Sequence, residues 1–419
     1  MRLNLLKIIK KTKQASFLAG NLSTERKNKV LLEIAKDVKT DQKKILEENR
    51  KDVERARKVG FNQSFIDRLT ISDKVFSQML DQVYKVSKLS DLVGQVIEKR
   101  RLKNEALLTK ITVPLGVIGV IYESRPNVTL DASILALKSG NAVVLKGGQE
   151  AFLSNKAIVS CIHRVLRKNN LPPETVLFLG TGNKDIDRKL VWQLVKLNKY
   201  IDVIIPRGGY KLIKEVTRRS TIPLLYHGAG GARIYIDKSA NLQMAIDICV
   251  NAKTNRPATC NSLDTIIVHK KIAKDFLRTL ADRLKTYRVK LLGDYRAIQI
   301  VSAQKVTKAN YKEEFLDLIL AIKIVDGLEE TIKFINKYSK RHSEGIIAED
   351  KHTIKKFTQT IDSASIFVNC STRLHDGEIF GLGAEMGIAT GKLHARGPVG
   401  LKELTTYKWI LYGKGQIRE

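Results

Sequence analysis

Residues 113–122, VPLGVIGVIY, mark the point at which the sequence changes from helical to strand-like patterning. Helical stretches such as 131–138 and 155–167 separate this run from the later ones. The later runs are AVVLK at 142–146, VLFLG at 176–180, VIIP at 203–206 and RIYID at 233–237. Strands that are apolar throughout and alternate with helices are typical of a parallel sheet covered on both faces. The stretch therefore predicts an α/β fold.

A second set of apolar runs follows residue 260 and shows the same alternation. Helices are predicted at 272–286 and 328–337. The apolar runs are DTIIVH at 264–269, AIKIVD at 321–326, GIIAED at 345–350 and ASIFVN at 364–369. This pattern predicts a second parallel-sheet α/β domain. We place the boundary near residue 245, although no Gly/Ser-rich linker marks it.

The residues before 113 predict helices. Between 28 and 88, apolar residues recur at every third or fourth position, which indicates three or four amphipathic helices. Residues 1–20 are basic and contain no acid, a composition with some likeness to a transit peptide. Their apolar residues favour instead a helix that begins the first domain. The expected buried face of that helix consists of Leu3, Leu6, Ile9 and Phe17.

The composition is that of a globular protein. The chain has 419 residues, enough for two or three domains of about 100 to 200 residues each. With 43% hydrophobic residues and only 8 prolines, it is neither disordered nor collagen-like. The longest uncharged apolar stretch, 113–122, is well short of the roughly 20 residues that a membrane-spanning helix needs. Its four cysteines show no C-x-x-C spacing, which favours a reducing compartment such as the cytoplasm.

The net charge is unusually high, because 74 Lys and Arg oppose only 43 Asp and Glu, a formal charge of +31. Such a charge attracts polyanions, and nucleic acid is one candidate partner. The basic residues are dispersed, however, and no RGG or RNP-type signature accompanies them. We therefore expect a solvated basic surface and no specific nucleic-acid partner. A basic protein that keeps the fold but binds nucleic acid or a protein partner remains the alternative.

Cys260 is the candidate nucleophile. It lies in NRPATCN at 255–261, between a predicted helix and the strand at 264–269. A thiol where an irregular turn enters a strand can have backbone N–H groups beside it, and the nearby Arg256 favours the thiolate. A buried structural cysteine is compatible with the same local sequence. The residues alone leave both interpretations open.

Glycine-containing turns follow three of the predicted strands. Gly180 and Gly182 follow VLFL, Gly208 and Gly209 follow VIIPR, and Lys146 closes AVVL ahead of two glycines. A phosphate can approach the backbone amides at such strand-to-helix turns. The turns lack the G-x-G-x-x-G pattern, and glycine is also common there for purely geometric reasons. They are candidate phosphate sites of low specificity.

The histidines give no metal-binding pattern. His227, His375 and His394 lie near glycines in predicted loops, without H-x-H or H-x-x-E-H spacing. We expect no metal and interpret each of these histidines as structural.

Several longer motifs carry a resemblance. They are residues 113–128, 137–142, 205–209, Arg256-Pro257 with Cys260-Asn261, 380–385, 392–398 and 403–408. Together these residues closely resemble the gamma-glutamyl phosphate reductases, a family of the aldehyde dehydrogenase superfamily. The resemblance extends over nearly the whole chain.

The resemblance implies an aldehyde dehydrogenase-like α/β fold with two parallel-sheet domains and an oligomerisation strand. The implied organisation is N-terminal helices and an NADP-binding domain at 1–245, a catalytic domain at 246–390, and a C-terminal return and oligomerisation segment at 391–419. The implied reaction is the reduction of L-glutamyl 5-phosphate by NADPH to L-glutamate 5-semialdehyde and phosphate, the second step of proline biosynthesis. A homo-oligomer is implied, and glutamate 5-kinase is the expected source of the substrate.

The resemblance also implies roles for individual residues. Cys260 is the nucleophile that forms a thioester, with Asn127 and the Cys260 amide as the expected oxyanion hole. Arg125, Arg256 and Asn261 are expected to contact the substrate. The implied cofactor-binding residues are Lys146, Gly180, Gly182, Arg207, Gly208, Gly209, Glu378 and Phe380.

A hydrolytic aldehyde dehydrogenase is a further alternative. Hydrolytic relatives carry a Glu upstream of the nucleophile that activates water, but no Glu occurs between 216 and 260 in this chain. We therefore expect slow hydrolysis and a thioester that is resolved by phosphate.

Overall fold

The structure is a computed structural model that describes residues 5–226 and 230–418. It consists of two compact units. The first contains Met1–Tyr226, Gly381–Gly387 and Val399–Glu419, and the second contains His227–Phe380 and Ile388–Pro398. None of the helices in the described parts of the chain has the length and apolar character needed to cross a membrane.

The first unit begins with five helices: α1 (Leu5–Gly20), α2 (Thr24–Thr40), α3 (Gln42–Val59), α4 (Gln63–Leu69) and α5 (Asp73–Lys88). The expectation of three or four helices between 28 and 88 is confirmed. Helix α1 is also present, and the predicted burial of Ile9 is confirmed, but the prediction was wrong for Leu6 and Phe17, which are 41% and 64% exposed. Leu5, Ala15 and Ala19 are buried together with Ile9, while Leu3 lies outside the described residues.

Residues 113–122 belong to two strands. This corrects the expectation of one continuous strand from their apolar sequence. β1 (Val96–Arg101) pairs antiparallel with β2 (Leu107–Pro114), and β3 (Val117–Tyr122) begins a different sheet. The break is at Gly116, whose φ of +120° is rarely adopted by residues with a side chain. Asp202 fixes the break by accepting a hydrogen bond from the Val117 amide at 2.7 Å.

Four parallel strands form the sheet of the first unit, in the order β5-β4-β3-β6. The new strands are β4 (Ala142–Gly147), β5 (Val176–Phe178) and β6 (Val203–Arg207). The associated helices are α6 (Asn127–Lys138), α7 (Phe152–Lys168), α8 (Lys184–Leu194) and α9 (Tyr210–Arg219). Every residue of β3 and β4 is buried, as expected for a parallel sheet covered on both faces.

The second unit contains a seven-stranded parallel sheet in the order β10-β9-β11-β8-β7-β12-β13. Its strands are β7 (Ala232–Ile236), β8 (Leu263–His269), β9 (Lys290–Gly293), β10 (Gln304–Lys305), β11 (Ile319–Val325), β12 (Ser343–Ile347) and β13 (Ser365–Val368). The helices are α10 (Leu242–Thr254), α11 (Ala273–Lys285), α12 (Leu328–Tyr338) and α13 (Lys351–Thr360). A small antiparallel pair, β14 (Ile388–Ala389) and β15 (Gly397–Pro398), completes the unit.

The division between the units precedes the boundary expected at residue 245. The reason is β7, which was assigned to the first set of strands but pairs with β8 and β12 in the second sheet. The segment 391–419 is also divided, because β15 belongs to the second unit and the last strand to the first. That strand, β16 (Thr405–Tyr412), pairs antiparallel with β2 and exposes Tyr407, Trp409 and Tyr412.

Candidate active site

The parallel sheet of the first unit collects the predicted residues of that unit at one edge. Because β3 to β6 run in the same direction, the residues at their carboxyl ends lie along the same edge of the sheet. The strand order reverses between β3 and β6, and ligands of open α/β sheets bind at such a switch point. The residues at this edge are Arg125, Asn127, Lys146, Gly180, Gly182, Arg207, Gly208 and Gly209.

The turn at Gly208 and Gly209 already holds an anion. Gly209 precedes α9, and its amide donates a hydrogen bond of 2.8 Å to Oε2 of Glu123. A Cβ at position 208 would lie 2.5 Å from the same oxygen, so a side chain there would displace the Glu123 carboxylate from the Gly209 amide. Burial raises the pKa of Glu123, while the Gly209 amide lowers it. Since this helix N-terminus binds a carboxylate, it fits the phosphate groups of a dinucleotide.

The turn after β5 is packed against aromatic rings. A Cβ at Gly180 would lie 2.6 Å from the Phe178 ring, and Gly182 has a φ of +74° beside Phe152. Asp187 of α8 fixes the turn by accepting hydrogen bonds from the Thr181 amide and hydroxyl, at 2.9 and 2.8 Å. The glycines at this position are therefore needed for close packing.

Lys146 lies at the end of β4 and is only 3% exposed. Its Nζ donates to the Gly147 carbonyl at 2.6 Å and lies 3.5 Å from Oδ2 of Asp187. Burial lowers the pKa of Lys146, and the charge of Asp187 opposes this shift. The ammonium group of Lys146 is thus close to the strand-end turns, and its charge is balanced by Asp187 of α8.

Asn127, the first residue of α6, is oriented by a buried carboxylate. Its Nδ2 donates a hydrogen bond of 3.0 Å to Oδ2 of Asp131. Burial raises the pKa of Asp131 to about 7, and the charge of Arg207 lowers it. Arg207 in turn donates to the carbonyl of Glu385 at 3.2 Å. The side chain of Asn127 therefore has a defined orientation, with one of its two amide hydrogens directed to Asp131.

In the second unit, Cys260 lies on a compact turn between α10 and β8, as predicted. Arg256 begins the turn with a φ of +57°, which is uncommon for a residue with a side chain. The hydroxyl of Thr259 donates to the Arg256 carbonyl at 2.8 Å, and the Ser262 amide donates to the Thr259 carbonyl at 3.0 Å. The Gly231 amide also donates to the Cys260 carbonyl at 2.7 Å. The backbone around Cys260 is therefore held from several sides.

The environment of Cys260 differs from that of the buried cysteines. Cys161 and Cys249 are both 0% exposed, whereas Cys260 is partly exposed. Burial raises the pKa of the Cys161 thiol to about 12 and raises the pKa of Cys249 as well. A reactive cysteine must be reachable and ionisable. These environments favour the nucleophile over the structural interpretation for Cys260.

Asn261 braces the turn from within the protein. It is 4% exposed, and its Nδ2 donates to the His375 carbonyl at 2.9 Å. Its Oδ1 accepts a hydrogen bond from Arg373 and lies 2.9 Å from the Thr259 hydroxyl oxygen. The side chain that was expected to contact the substrate is thus already bonded to the protein.

Two residues near Cys260 were missed at the level of sequence. Arg373 donates to Asn261 and lies close enough to Cys260 for their charges to interact. Glu314 lies against Gly230, where an added Cβ would clash with its Oε1 and would lie 2.5 Å from the Cys260 Cβ. Cys260 therefore has a carboxylate nearby although no Glu occurs between 216 and 260. Both residues come from distant loops, and no local motif marks either of them.

The remaining predicted residues have the following positions. Glu378 and Phe380 are exposed, and the Phe380 ring stacks on the His375 ring with centroids 5.7 Å apart. His375 forms hydrogen bonds with the hydroxyl groups of Ser343 and Ser365, and burial lowers its pKa to about 4, which is consistent with a structural role.

His227 lies outside the described residues. Within 5–226 and 230–418, no cluster of three or more His, Cys, Asp or Glu side chains could hold a metal ion.

Comparisons with known proteins match this chain to one family. A model of the aldehyde dehydrogenase family matches residues 4–306. Gamma-glutamyl phosphate reductase from Carboxydothermus hydrogenoformans is 47% identical over 414 residues, 99% of each chain, and that from Listeria welshimeri is 46% identical over 97% of each. The crystal structure of gamma-glutamyl phosphate reductase from Thermotoga maritima has a TM-score of 0.93 and 44% identity, and the match covers 99% of this chain and 100% of that one.

Proposed function

Because the chain belongs to the aldehyde dehydrogenase family, and within it to the gamma-glutamyl phosphate reductases, we propose that it reduces L-glutamyl 5-phosphate. The products are L-glutamate 5-semialdehyde and phosphate, and the reaction is the second step of proline biosynthesis. The observation that carries the proposal is the partly exposed Cys260 thiol on a braced turn with arginines nearby.

The reaction begins at the sulfur of Cys260. The thiol attacks the 5-carbonyl carbon of the acyl phosphate, and the new S–C bond replaces the C–O bond to phosphate, which leaves with the thiol proton. When bound, the nicotinamide cofactor supplies a hydride to the resulting thioester carbon. The aldehyde then leaves as the Cys260 thiolate is expelled, and the thiolate takes a proton from solvent. The Asn127 amide and the Cys260 backbone amide stabilise the negative charge that develops on the carbonyl oxygen.

The other site residues divide by chemistry. Arg125 and Arg256 provide positive charge for the anionic substrate, whereas Asn261 acts by bracing the turn. Gly180, Gly182, Gly208 and Gly209 allow close approach of the cofactor phosphates. Lys146 and Arg207 lie at the same sheet edge, and Glu378 and Phe380 complete the proposed cofactor contacts. NADP, with its extra phosphate, suits a chain of charge +31 better than NAD does.

The proposed partners follow from the substrate and from the exposed strand. A kinase, glutamate 5-kinase, must form the acyl phosphate before this reaction. The exposed aromatic residues of β16 support a homo-oligomer that forms through this strand in the cytoplasm. The dispersed charge supports no specific nucleic-acid partner.

The direct test is the reverse reaction, measured as NADP reduction with glutamate 5-semialdehyde and inorganic phosphate. We expect turnover that depends on phosphate and that is faster with NADP than with NAD. Phosphate-independent oxidation at the full rate would contradict the proposal.

Glu314 supports one second candidate, a hydrolytic dehydrogenase, because a carboxylate beside the nucleophile can activate water. The expectation of slow hydrolysis rested on the absence of a Glu between 216 and 260, and the carboxylate of Glu314 weakens it. The two candidates are distinguished in phosphate-free buffer, where a hydrolytic enzyme forms free glutamate and a phosphate-dependent one does not. If free glutamate forms, Glu314→Gln should suppress it.

A further inference from the structure

We propose that Arg373 binds the phosphoryl group of the substrate beside Cys260. The inference rests on the proposed function, in which an acyl phosphate reacts at this cysteine. It adds a binding residue that the sequence motifs do not indicate, since Arg373 lies in a 3₁₀ turn more than 110 positions after the nucleophile.

Arg373 is connected to both ends of the Cys260 turn. Its Nε donates a hydrogen bond of 3.3 Å to Oδ1 of Asn255, which immediately follows α10. Its Nη1 donates to Oδ1 of Asn261, which immediately follows Cys260. The guanidinium group therefore spans the turn that carries the nucleophile, and its position relative to that turn is fixed.

The charges around Arg373 suit an anion. Burial lowers the pKa of Arg373, and the negative charge of the Cys260 thiolate raises it. Arg256 lowers the pKa through repulsion, and Asp376 raises it. Two guanidinium groups thus lie within electrostatic range of each other near one thiol. A phosphoryl dianion between them relieves their repulsion and stabilises both charges.

Arg373 is better prepared for this role than Arg256. Arg256 is exposed, and its side chain makes no hydrogen bond to any described residue. Arg373 is partly buried and fixed by two hydrogen bonds, while its Nη2 makes none within the described part of the chain. A fixed guanidinium loses less conformational freedom when it binds an anion. Nη2 is the nitrogen that we assign to a phosphoryl oxygen.

The test compares four variants of the full chain in the phosphate-dependent oxidation of glutamate 5-semialdehyde. Arg373→Gln removes the charge, and Arg373→Lys keeps the charge but loses the fork geometry. Asn255→Ala removes one brace and leaves the guanidinium. Arg283→Gln removes one charge from the surface of the same unit, where Arg283 pairs with Asp247 at 3.3 Å.

We expect Arg373→Gln to raise the KM for inorganic phosphate about tenfold or more, with a smaller change in the KM for the aldehyde. Arg373→Lys should give an intermediate KM for phosphate, Asn255→Ala a smaller increase, and Arg283→Gln the parent value. Phosphate alone should also protect Cys260 from iodoacetamide in the parent enzyme, and this protection should be lost in Arg373→Gln. The protection assay needs no turnover.

The inference is overturned if Arg373→Gln keeps the parent KM for phosphate, or if Asn255→Ala raises it as much as Arg373→Gln does. In the second case Arg373 only braces the turn. Thermal unfolding shows whether Arg373→Gln is folded. If it is not, Arg373→Lys becomes the test variant, and a KM for phosphate equal to that of the parent overturns the proposed binding of phosphate by the guanidinium group. Failure of the proposed function has a different signature, because the parent enzyme itself then shows no phosphate-dependent turnover.

Discussion

The two parallel-sheet units place their candidate residues at opposite ends of their strands. In the first unit, Lys146, Gly180 and Arg207 lie at the carboxyl ends of β4, β5 and β6. In the second, Gly231 and Cys260 precede β7 and β8, at the amino ends. The first edge is built mainly by turns that are local in sequence. The Cys260 turn depends on partners as far away as the His375 carbonyl, 114 positions from Asn261.

In the proposed reaction, this difference separates cofactor binding at the glycine turns of the first unit from bond formation at Cys260, while Asn127 at the first edge is proposed to stabilise the negative charge on the carbonyl oxygen. Changes at the strand-end turns of the first unit should alter cofactor affinity and leave the thiol reactive. Changes in the Cys260 turn should alter the chemical step and leave cofactor affinity intact. A variant that moves both properties together would break the comparison.

The largest effect is expected from Cys260→Ala. Loss of the nucleophile should reduce turnover on the order of 10³-fold or more, because no thioester can form. NADPH binding, measured by fluorescence titration, should be unchanged. Cys161→Ala is the matched control, since that thiol is buried and its raised pKa keeps it protonated. Equal loss of activity in the two variants would remove Cys260 from its proposed role.

Gly230→Ala should have the next largest effect. The added methyl group would meet the Glu314 carboxylate and would lie 2.5 Å from the Cys260 Cβ and 2.7 Å from its Cα. Because backbone cannot yield easily, we expect kcat to fall at least about tenfold, equivalent to about 1–3 kcal/mol. Gly327→Ala is the control, since a Cβ there meets nothing within 4 Å. If Gly230→Ala has the same kcat as the parent enzyme, the Cys260 turn can move without loss of activity.

Most strands could be predicted from the sequence, but the residues around Cys260 could not. The physical reasons for the success and for the failure differ. Apolar runs identify buried strands wherever they pair, which is why β7 was recognised as a strand but assigned to the wrong sheet. Arg373 and Glu314 are polar residues in loops without periodicity, so only tertiary contacts bring them to Cys260. The break at Gly116 likewise depends on a contact with Asp202, 85 positions beyond Val117.

Gly208→Ala should produce a moderate effect confined to the first edge. The methyl group would lie 2.5 Å from Oε2 of Glu123, a flexible side-chain end that can move away from the Gly209 amide. We expect the KM for NADP to rise about fivefold, equivalent to about 1 kcal/mol, with the alkylation rate of Cys260 unchanged. Gly209→Ala should raise it less, since its Cβ would lie 3.7 Å from the same oxygen. A slower alkylation of Cys260 in Gly208→Ala would mean that the two edges do not act separately.

The smallest effect concerns one buried carboxyl group in each unit. Burial raises the pKa of Asp131 and of Glu344 to about 7, well above the values of the unfolded chain. Because each folded pKa is raised, its contribution to stability is complete below about pH 4 and is lost as the pH rises through 7. The environments differ, since Glu344 lies 3.4 Å from the buried Arg233, whereas Asp131 accepts only from the neutral amide of Asn127 among the described residues.

The two carboxyl groups should therefore show the same pH trend on neutralisation. Asp131→Asn avoids the cost of a buried charge, so its Tm relative to the parent should rise by a few degrees, on the order of 1 kcal/mol, between pH 5 and pH 8. Glu344→Gln removes a pKa that is raised in the same direction, so its Tm relative to the parent should also rise over this interval, and the loss of the partner of Arg233 adds only an offset that does not change with pH. Thermal unfolding of both variants at the two pH values gives the signs directly. A difference that falls between pH 5 and pH 8 in either variant would show that the pKa of that carboxyl group is not raised in the folded protein.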